Sequence, residues 1–299
     1  MIEEIIDCED GYKLQVFIWH NKAAKAWVHI NHGMAEHAER YQVFAEELVA
    51  AGYAVVAHNH RGHGKSESAE IGSFADYDGW SKVLGDIDTV RNHVCNDGRR
   101  YYIFAHSMGS FIAQSYLCKT NRSIDGVILS ASNFQPVWLA KMGRLVAKLE
   151  RLRIGEKDSS KLLQFLSFGS FNQTFKPNRT EYDWLSRDTA QVDKYITDPL
   201  CGFACSTGLW HEFLSALVDL FKKGNLASIQ TNLPIFILGG DKDPVGLMGK
   251  GLPKLAKAYQ ETGQKQVTLK LYQDSRHEIL NEINNDVVYA DIIAWLNSQ

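Results

Sequence analysis

Ser107 lies between an apolar run and a helical pattern, in Tyr101-Tyr102-Ile103-Phe104-Ala105-His106-Ser107-Met108-Gly109-Ser110. A sharp strand-to-helix turn needs small neighbours two positions either side of its central serine, because strand and helix pass close together there. Ala105 and Gly109 fill those positions, and His106 completes the support of the turn. Such a turn lifts the hydroxyl above a sheet, at a helix N-terminus whose free N–H groups favour developing negative charge. That arrangement suits acyl transfer. Ser107 could instead be only a helix N-cap, but the flanking strand and helix favour the nucleophile.

A serine is a weak nucleophile near neutral pH, so it needs a base within hydrogen-bond reach and a carboxylate that fixes the base's tautomer. In strand-turn-helix hydrolases the chain order is serine, acid, histidine. After Ser107 only His211 and His277 remain of the 11 histidines, and only His277 follows a strand. His277 is therefore the expected base. Gly239-Gly240-Asp241-Lys242-Asp243-Pro244 follows another apolar strand, and Asp243 is the preferred acid. Asp241 stays open as the orienting acid or as a turn former. The oxyanion needs two donors: the N–H of Met108, just after the nucleophile, and that of Met34, which the turn at Gly33 leaves free to point inward.

These residues need a mostly parallel sheet to position them. Ile5 to Trp19 alternates around Asp10-Gly11, the pattern of an antiparallel hairpin. Strands are then expected at Ala26 to Ile30, Tyr53 to Ala57, Tyr101 to Ala105, Gly126 to Ser130, Pro234 to Leu238 and Val267 to Tyr272. Helical patterns separate them around Tyr41 to Ala51, Asp78 to Val94, Ser110 to Cys118 and Leu252 to Tyr259, with a closing helix from Val287 to Leu296. The fold class is α/β, with strand and helix units building one domain. The alternation stops between Asn133 and about Gly224, where the text is helical and carries Trp138, Phe165, Phe168, Phe171, Phe175 and Trp184. Residues 133–224 are expected to form a helical cap inserted into a core made of 1–132 and 225–299.

Composition narrows the partners. With 32 Lys plus Arg against 35 Asp plus Glu, the formal charge is −3, so no global field recommends nucleic acid. Cys8, Cys95, Cys118, Cys201 and Cys205 show no paired or zinc-ligand spacing and read as reduced thiols. No stretch is long enough to span a bilayer and the start lacks a signal pattern, so the expected location is cytoplasmic. His58-Asn59-His60-Arg61-Gly62-His63 could bind metal, but it contains no carboxylate. No metal or cofactor is expected.

His32-Gly33-Met34-Ala35-Glu36-His37 with Arg40-Tyr41, Ala57-His58-Asn59-His60-Arg61-Gly62-His63-Gly64-Lys65-Ser66, and Ala105-His106-Ser107-Met108-Gly109 together resemble the monoacylglycerol lipases and the bacterial lysophospholipase-like hydrolases of the α/β-hydrolase superfamily. Asp183 to Asp188 and Asp198 to Phe203 resemble the bacterial members, so the likeness covers nearly the whole chain. It implies Ser107, Asp243 and His277 as the triad, with Met34 and Met108 as oxyanion donors. Ala105 stands where the family usually has Gly, and Asn59 where it usually has Asp, a change expected to weaken a structural hydrogen-bond network.

The expected reaction is hydrolysis of a single-chain acyl ester of monoacylglycerol or lysophospholipid type. Acyl transfer to an alcohol, cleavage of an amide or N-terminal peptide bond, and a non-catalytic binding role are the alternatives; Ser rather than Asp at the turn disfavours dehalogenation. From Trp138 to Leu152, apolar Trp138, Met142, Leu145, Leu149 and Leu152 share a helical face beside Lys141, Arg144, Lys148 and Arg151. That stripe either contacts anionic lipid or is a solvated face. Substrate identity and oligomeric state are not encoded legibly.

Overall fold

The computed structural model describes residues 1–65, 70–95 and 98–299. Ser66, at the end of the histidine-rich motif, lies outside the described residues. Among them, eight strands form one sheet in the order β1-β2-β4-β3-β5-β6-β7-β8. These are β1 (Ile2–Asp7), β2 (Lys13–Trp19), β3 (Ala26–Asn31), β4 (Ala54–His58), β5 (Arg100–His106), β6 (Gly126–Ser130), β7 (Ile235–Gly240) and β8 (Val267–Tyr272). β2 pairs antiparallel with both β1 and β4, and every other pairing is parallel. The expected mostly parallel sheet with an N-terminal hairpin is present. Its first strand starts at Ile2 rather than Ile5. As an edge strand it exposes most of its residues, so alternation hardly marks its beginning.

The central strands are buried on both faces. Phe17, Val28, Ile30, Phe104 and Phe236 pack on one side with α1 (Gln42–Ala50) and the closing helix at Asn285–Asn297. Val16, Trp27, Ile103, Val127 and Ile235 pack on the other with α2 (Gly79–Val94), α3 (Met108–Lys119) and a late helix at Gly251–Glu261. This period-2 division with apolar residues on both sides gives near-continuous apolar strands. Parallel strands also end at one edge of the sheet, which gathers the loops after β3, β5, β7 and β8.

Between β6 and β7 the chain is helical: α4 (Val137–Ile154), α5 (Lys161–Gln164), a π-helical turn (Phe165–Gly169), α6 (Ser170–Gln173), α7 (Thr189–Thr197) and α8 (Thr207–Leu220). α8 joins the main core, with Phe213 against Trp80 and Phe111. α4 lies on α8 through its small residues: Ala140 and Ala147 are buried, and a methyl on Gly143 would sit 3.2 Å from Leu214. The apolar stripe is consequently turned outward, with Trp138 67% and Leu152 72% exposed. No helix among the described residues is long and apolar enough to cross a membrane.

The histidine-rich run goes into the core. His58 Nδ1 pairs with His29 Nε2 at 2.8 Å, Tyr101 Oη reaches His29 Nδ1 at 2.7 Å, and the His60 and His63 rings pack around His32. Burial pushes all of these rings down, His58 to about 3 and His63 to about 4, with His29, His32 and His60 well below the ordinary value. In the unfolded chain each would take up a proton near pH 6.5. Below that pH the unfolded state binds more protons than the native one, so stability falls with falling pH, by up to about 1.4 kcal/mol per group per pH unit. The thermal midpoint is expected to drop by more than about 10 °C between pH 6.5 and 4.5. A flat midpoint over that interval would mean that these rings are protonated in the native protein.

Asn59 shows why the expected weakening does not occur locally. Its Oδ1 accepts from Ala38 N at 2.7 Å, and its Nδ2 donates to Gln15 Oε1 at 2.6 Å. Gln15 Nε2 is committed to Glu3 Oε1 at 2.6 Å, which turns the Gln15 carbonyl toward position 59. A carboxylate there would face another acceptor, whereas the amide supplies the matching donor.

Candidate active site

β5 hands over to α3 within one residue. Ser107 has φ 51° and ψ −119°, and α3 begins at Met108, two residues before the expected helix start. A non-glycine residue in that region costs about 1–3 kcal/mol and persists only where its surroundings enforce it. Here Ser107 N donates to Ser130 O at 2.9 Å, and Ser110 Oγ donates to Ser107 O at 2.6 Å. A methyl on Gly109 would come within 2.4 Å of the Asn31 carbonyl, so only glycine lets α3 cross the end of β3 this closely. Ala105 is fully buried in β5, its methyl part of the core.

The loop after β8 brings His277 to this turn, anchored to the inserted helices by the Glu278 N–H donating to Leu185 O at 2.7 Å. His277 Nε2 lies 3.0 Å from Ser107 Oγ, and its Nδ1 lies 3.0 Å from Asp243 Oδ1. Asp243 is fully buried, and its Oδ1 also accepts from Val245 N at 2.9 Å. Asp241 goes elsewhere: its carboxylate accepts from Asp274 N at 2.8 Å and ties the two loops together. Burial pushes the His277 imidazole down, but the adjacent Asp243 carboxylate, with Glu278 and Glu36 beyond it, holds it above the ordinary histidine value. The neutral ring, with its proton on Nδ1 facing Asp243, can accept a proton from Ser107.

The loop after β3 covers the serine from the other side. A methyl on Gly33 would meet Glu36 Oε1 at 2.7 Å and Ser107 Cβ at 3.3 Å. His32 Nε2 accepts from His60 N at 2.9 Å, which places the ring proton on Nδ1, where it donates to Gly33 O at 2.7 Å. That bond sets the plane of the Gly33–Met34 peptide and so aims the Met34 N–H. Among the described residues neither the Met34 nor the Met108 N–H finds an acceptor, and Met108 as the first residue of α3 has none within its helix. Two free donors therefore flank Ser107.

Sequence reading missed the charged support of this loop. Arg40 grips Glu278 with paired bonds of 2.7 Å and also donates to Glu36, which accepts from Tyr41 Oη at 2.8 Å and from Gly33 N. Burial alone would raise Glu278, but Arg40 holds it at about 2. The network links the Gly33 loop to the His277 loop across 238 positions of sequence. Its only sequence signal was the Glu36 to Tyr41 part of the family-like motif. His106, whose Nδ1 lies 3.1 Å from Ser130 Oγ, is pushed to about 3 by burial and then by neighbouring His277. It stays neutral beside His277.

Trp184 lies 4.9 Å from the His277 ring, and Phe168 of the π-helical turn stacks on Trp184 at 5.7 Å. Together with Leu185 and Tyr195 they close a cavity of about 20 Å³ over Ser107. Phe168 also lines a cavity of about 520 Å³ among the inserted helices, bounded by Lys161, Phe165 and Tyr182. This cleft opens to solvent, with Phe165 54% exposed, and shares Phe168 with the small cavity over Ser107.

A family model described as serine aminopeptidase, S33, matches residues 22–284. The chain is 28% identical to the human protein named monoglyceride lipase over 292 residues, covering 92% of this chain and 83% of that one. It is 26% identical to the monoacylglycerol lipase of Mycolicibacterium smegmatis over 276 residues, covering 89% and 86%. Among solved structures, a thermostable carboxyl esterase from Bacillus coagulans in complex with glycerol superposes with a TM-score of 0.90 at 26% identity, covering 99% of this chain and 98% of that one.

Proposed function

The chain belongs to the family described as serine aminopeptidase, S33, and from that membership we propose that it hydrolyses single-chain acyl esters of monoacylglycerol or lysophospholipid type through Ser107, His277 and Asp243. The observation that carries this reading is the unbroken relay of two 3.0 Å contacts from Ser107 Oγ through His277 to Asp243. The names of the relatives and of the superposing esterase support an ester over a peptide bond.

In this reading Ser107 Oγ attacks the ester carbonyl carbon as His277 Nε2 takes the hydroxyl proton. The Met34 and Met108 N–H groups receive the oxyanion. Collapse breaks the bond to the alcohol, which leaves with the proton from His277. Water then attacks the acyl-serine, His277 again accepting a proton and returning it to Ser107. Asp243 holds the imidazole in the required tautomer and stabilises its cationic form.

Residues 133–224 act as a cap, a role supported by Phe168, Trp184 and Leu185 lying over the serine. Its outward apolar stripe on α4, flanked by Lys141, Arg144, Lys148 and Arg151, fits an anionic lipid surface from which such substrates are drawn.

The test is hydrolysis of p-nitrophenyl esters of graded chain length alongside a monoacylglycerol, a lysophospholipid and amino-acid p-nitroanilides. Esters should turn over at least about 10²-fold faster than the anilides, because the two carboxylates lining the cavity over Ser107, Glu36 and Glu278, are both engaged by Arg40 rather than free for a substrate ammonium group. Faster anilide cleavage would replace the ester reading with a peptidase one. Protein that fails to sediment with anionic vesicles at low salt would remove the lipid-surface role of α4.

A further inference from the structure

One further group of ligating side chains converges outside the serine cavity. A ring nitrogen of His37, a carboxylate oxygen of Asp198 and Cys201 Sγ lie within 4.8 Å of one another, the one such group found among the described residues. His37 belongs to the loop after β3, while Asp198 and Cys201 follow α7. The His37 ring is nine-tenths buried. Its Nε2 contacts Asp198 Oδ2 at 2.9 Å, and its Nδ1 has no hydrogen-bond partner although Glu39 Oε2 lies 3.4 Å away.

We propose that His37, Asp198 and Cys201 form a binding site for a divalent zinc ion. An imidazole, a carboxylate and a thiolate are zinc's ordinary donor set. His37 Nε2, beside Asp198, is the nitrogen for the ion, and the buried Nδ1 without a hydrogen-bond partner faces Glu39 Oε2. Metal-binding histidines commonly turn one nitrogen to the ion and donate the other N–H to a carboxylate, and Glu39 stands where that partner is needed. Tetrahedral zinc about 2.0–2.3 Å from each donor requires donors roughly 3.3–3.8 Å apart, so His37 Nε2 and Asp198 Oδ2, 2.9 Å apart, would part by about 0.5 Å while the longest separation, within 4.8 Å, closes by about 1 Å. His37 and Asp198 also line an open cleft of about 740 Å³, which gives the ion an entry path and leaves a fourth position for water.

Burial raises the Cys201 thiol well above its ordinary value, so the free thiol keeps its proton. Zinc binding displaces that proton to solvent, forming the Zn–S bond without any change of oxidation state. The loop carrying Met34 is already fastened to the inserted helices by Gly202 N and Tyr195 Oη, both donating to Ala35 O at 2.9 Å. The ion adds a third link at the same place.

The experiment uses the full chain, freed of metal by dialysis against chelator and titrated with Co²⁺. About one equivalent should produce a near-ultraviolet thiolate-to-cobalt charge-transfer band that Zn²⁺ then removes, and Zn²⁺ should raise the thermal midpoint. Cys201→Ser should lose the band with circular dichroism unchanged, and Glu39→Gln should weaken Zn²⁺ binding by about 10- to 100-fold. A wild-type chain that takes up no cobalt, or a band that survives Cys201→Ser, overturns the site. Neither readout depends on ester hydrolysis.

Discussion

Replacing Ser107 by glycine is expected to lower kcat for ester hydrolysis by about 10⁶-fold while raising the thermal midpoint. In the proposed mechanism, loss of the nucleophile accounts for the first effect. The second follows from the backbone: φ 51° with ψ −119° strains serine but not glycine. Glycine also loses more entropy on folding and forfeits the 3.0 Å contact to His277, which leaves a net gain of about 1 kcal/mol. Chromogenic ester turnover and a thermal melt on the same preparation check both. A helix N-cap would behave differently: its replacement by glycine costs a few tenths of a kcal/mol and leaves turnover intact.

Asp243→Asn should lower kcat by about 10⁴-fold and also shift the pH profile. In the proposed mechanism only neutral His277 can take the proton of Ser107, so wild-type turnover is expected to rise with pH as the ring deprotonates. The Asp243 carboxylate favours the imidazolium and holds that inflection above the ordinary histidine value. With the carboxylate gone, desolvation is opposed by the weaker pull of Glu278 and Glu36, and the inflection moves to lower pH. Asparagine can also present its amide to Nδ1 and stabilise the wrong tautomer, the source of the loss in rate. The kcat/KM profile of both proteins from pH 5 to 9 measures the shift. An unchanged inflection would mean that Asp243 does not govern the titration of His277.

The candidate site was legible in sequence where its proposed chemistry depends on local context. Ser107 announces itself because a strand, two small residues and a helix must meet there, and His277 because one histidine follows a late strand. The choice of Asp243 over Asp241 rested on chain order, and in the fold the two differ by one turn of loop: one reaches the imidazole, the other a backbone N–H. Arg40 and Glu278 could not be paired in advance, since nothing local says that residues so far apart share a buried ion pair. The aromatic cover by Trp184 and Phe168 is hidden for the same reason.

The fold followed the apolar runs closely, and on one helix a small-residue face outcompetes a hydrophobic one for burial. On α4 the Ala140, Gly143 and Ala147 side lets the backbone approach Leu214 on α8, and the more hydrophobic stripe is left facing outward. Close packing of backbones won over side-chain transfer energy, and the outward stripe agrees with both sequence readings of it, lipid-facing or solvated. The α3 boundary differs for another reason. Residues 107–109 look like a turn, yet the chain enters the helix at Met108, because the strain is concentrated in the single residue before it.

The central claim is that Ser107 forms the covalent acyl intermediate, and the most direct measurement is mass spectrometry of the protein after reaction with an alkyl fluorophosphonate. One phosphonyl group on the peptide containing Ser107, accompanied by complete loss of ester hydrolysis and absent from Ser107→Gly, is the predicted result. An adduct on another residue, or hydrolysis that continues once Ser107 is modified, would contradict the account.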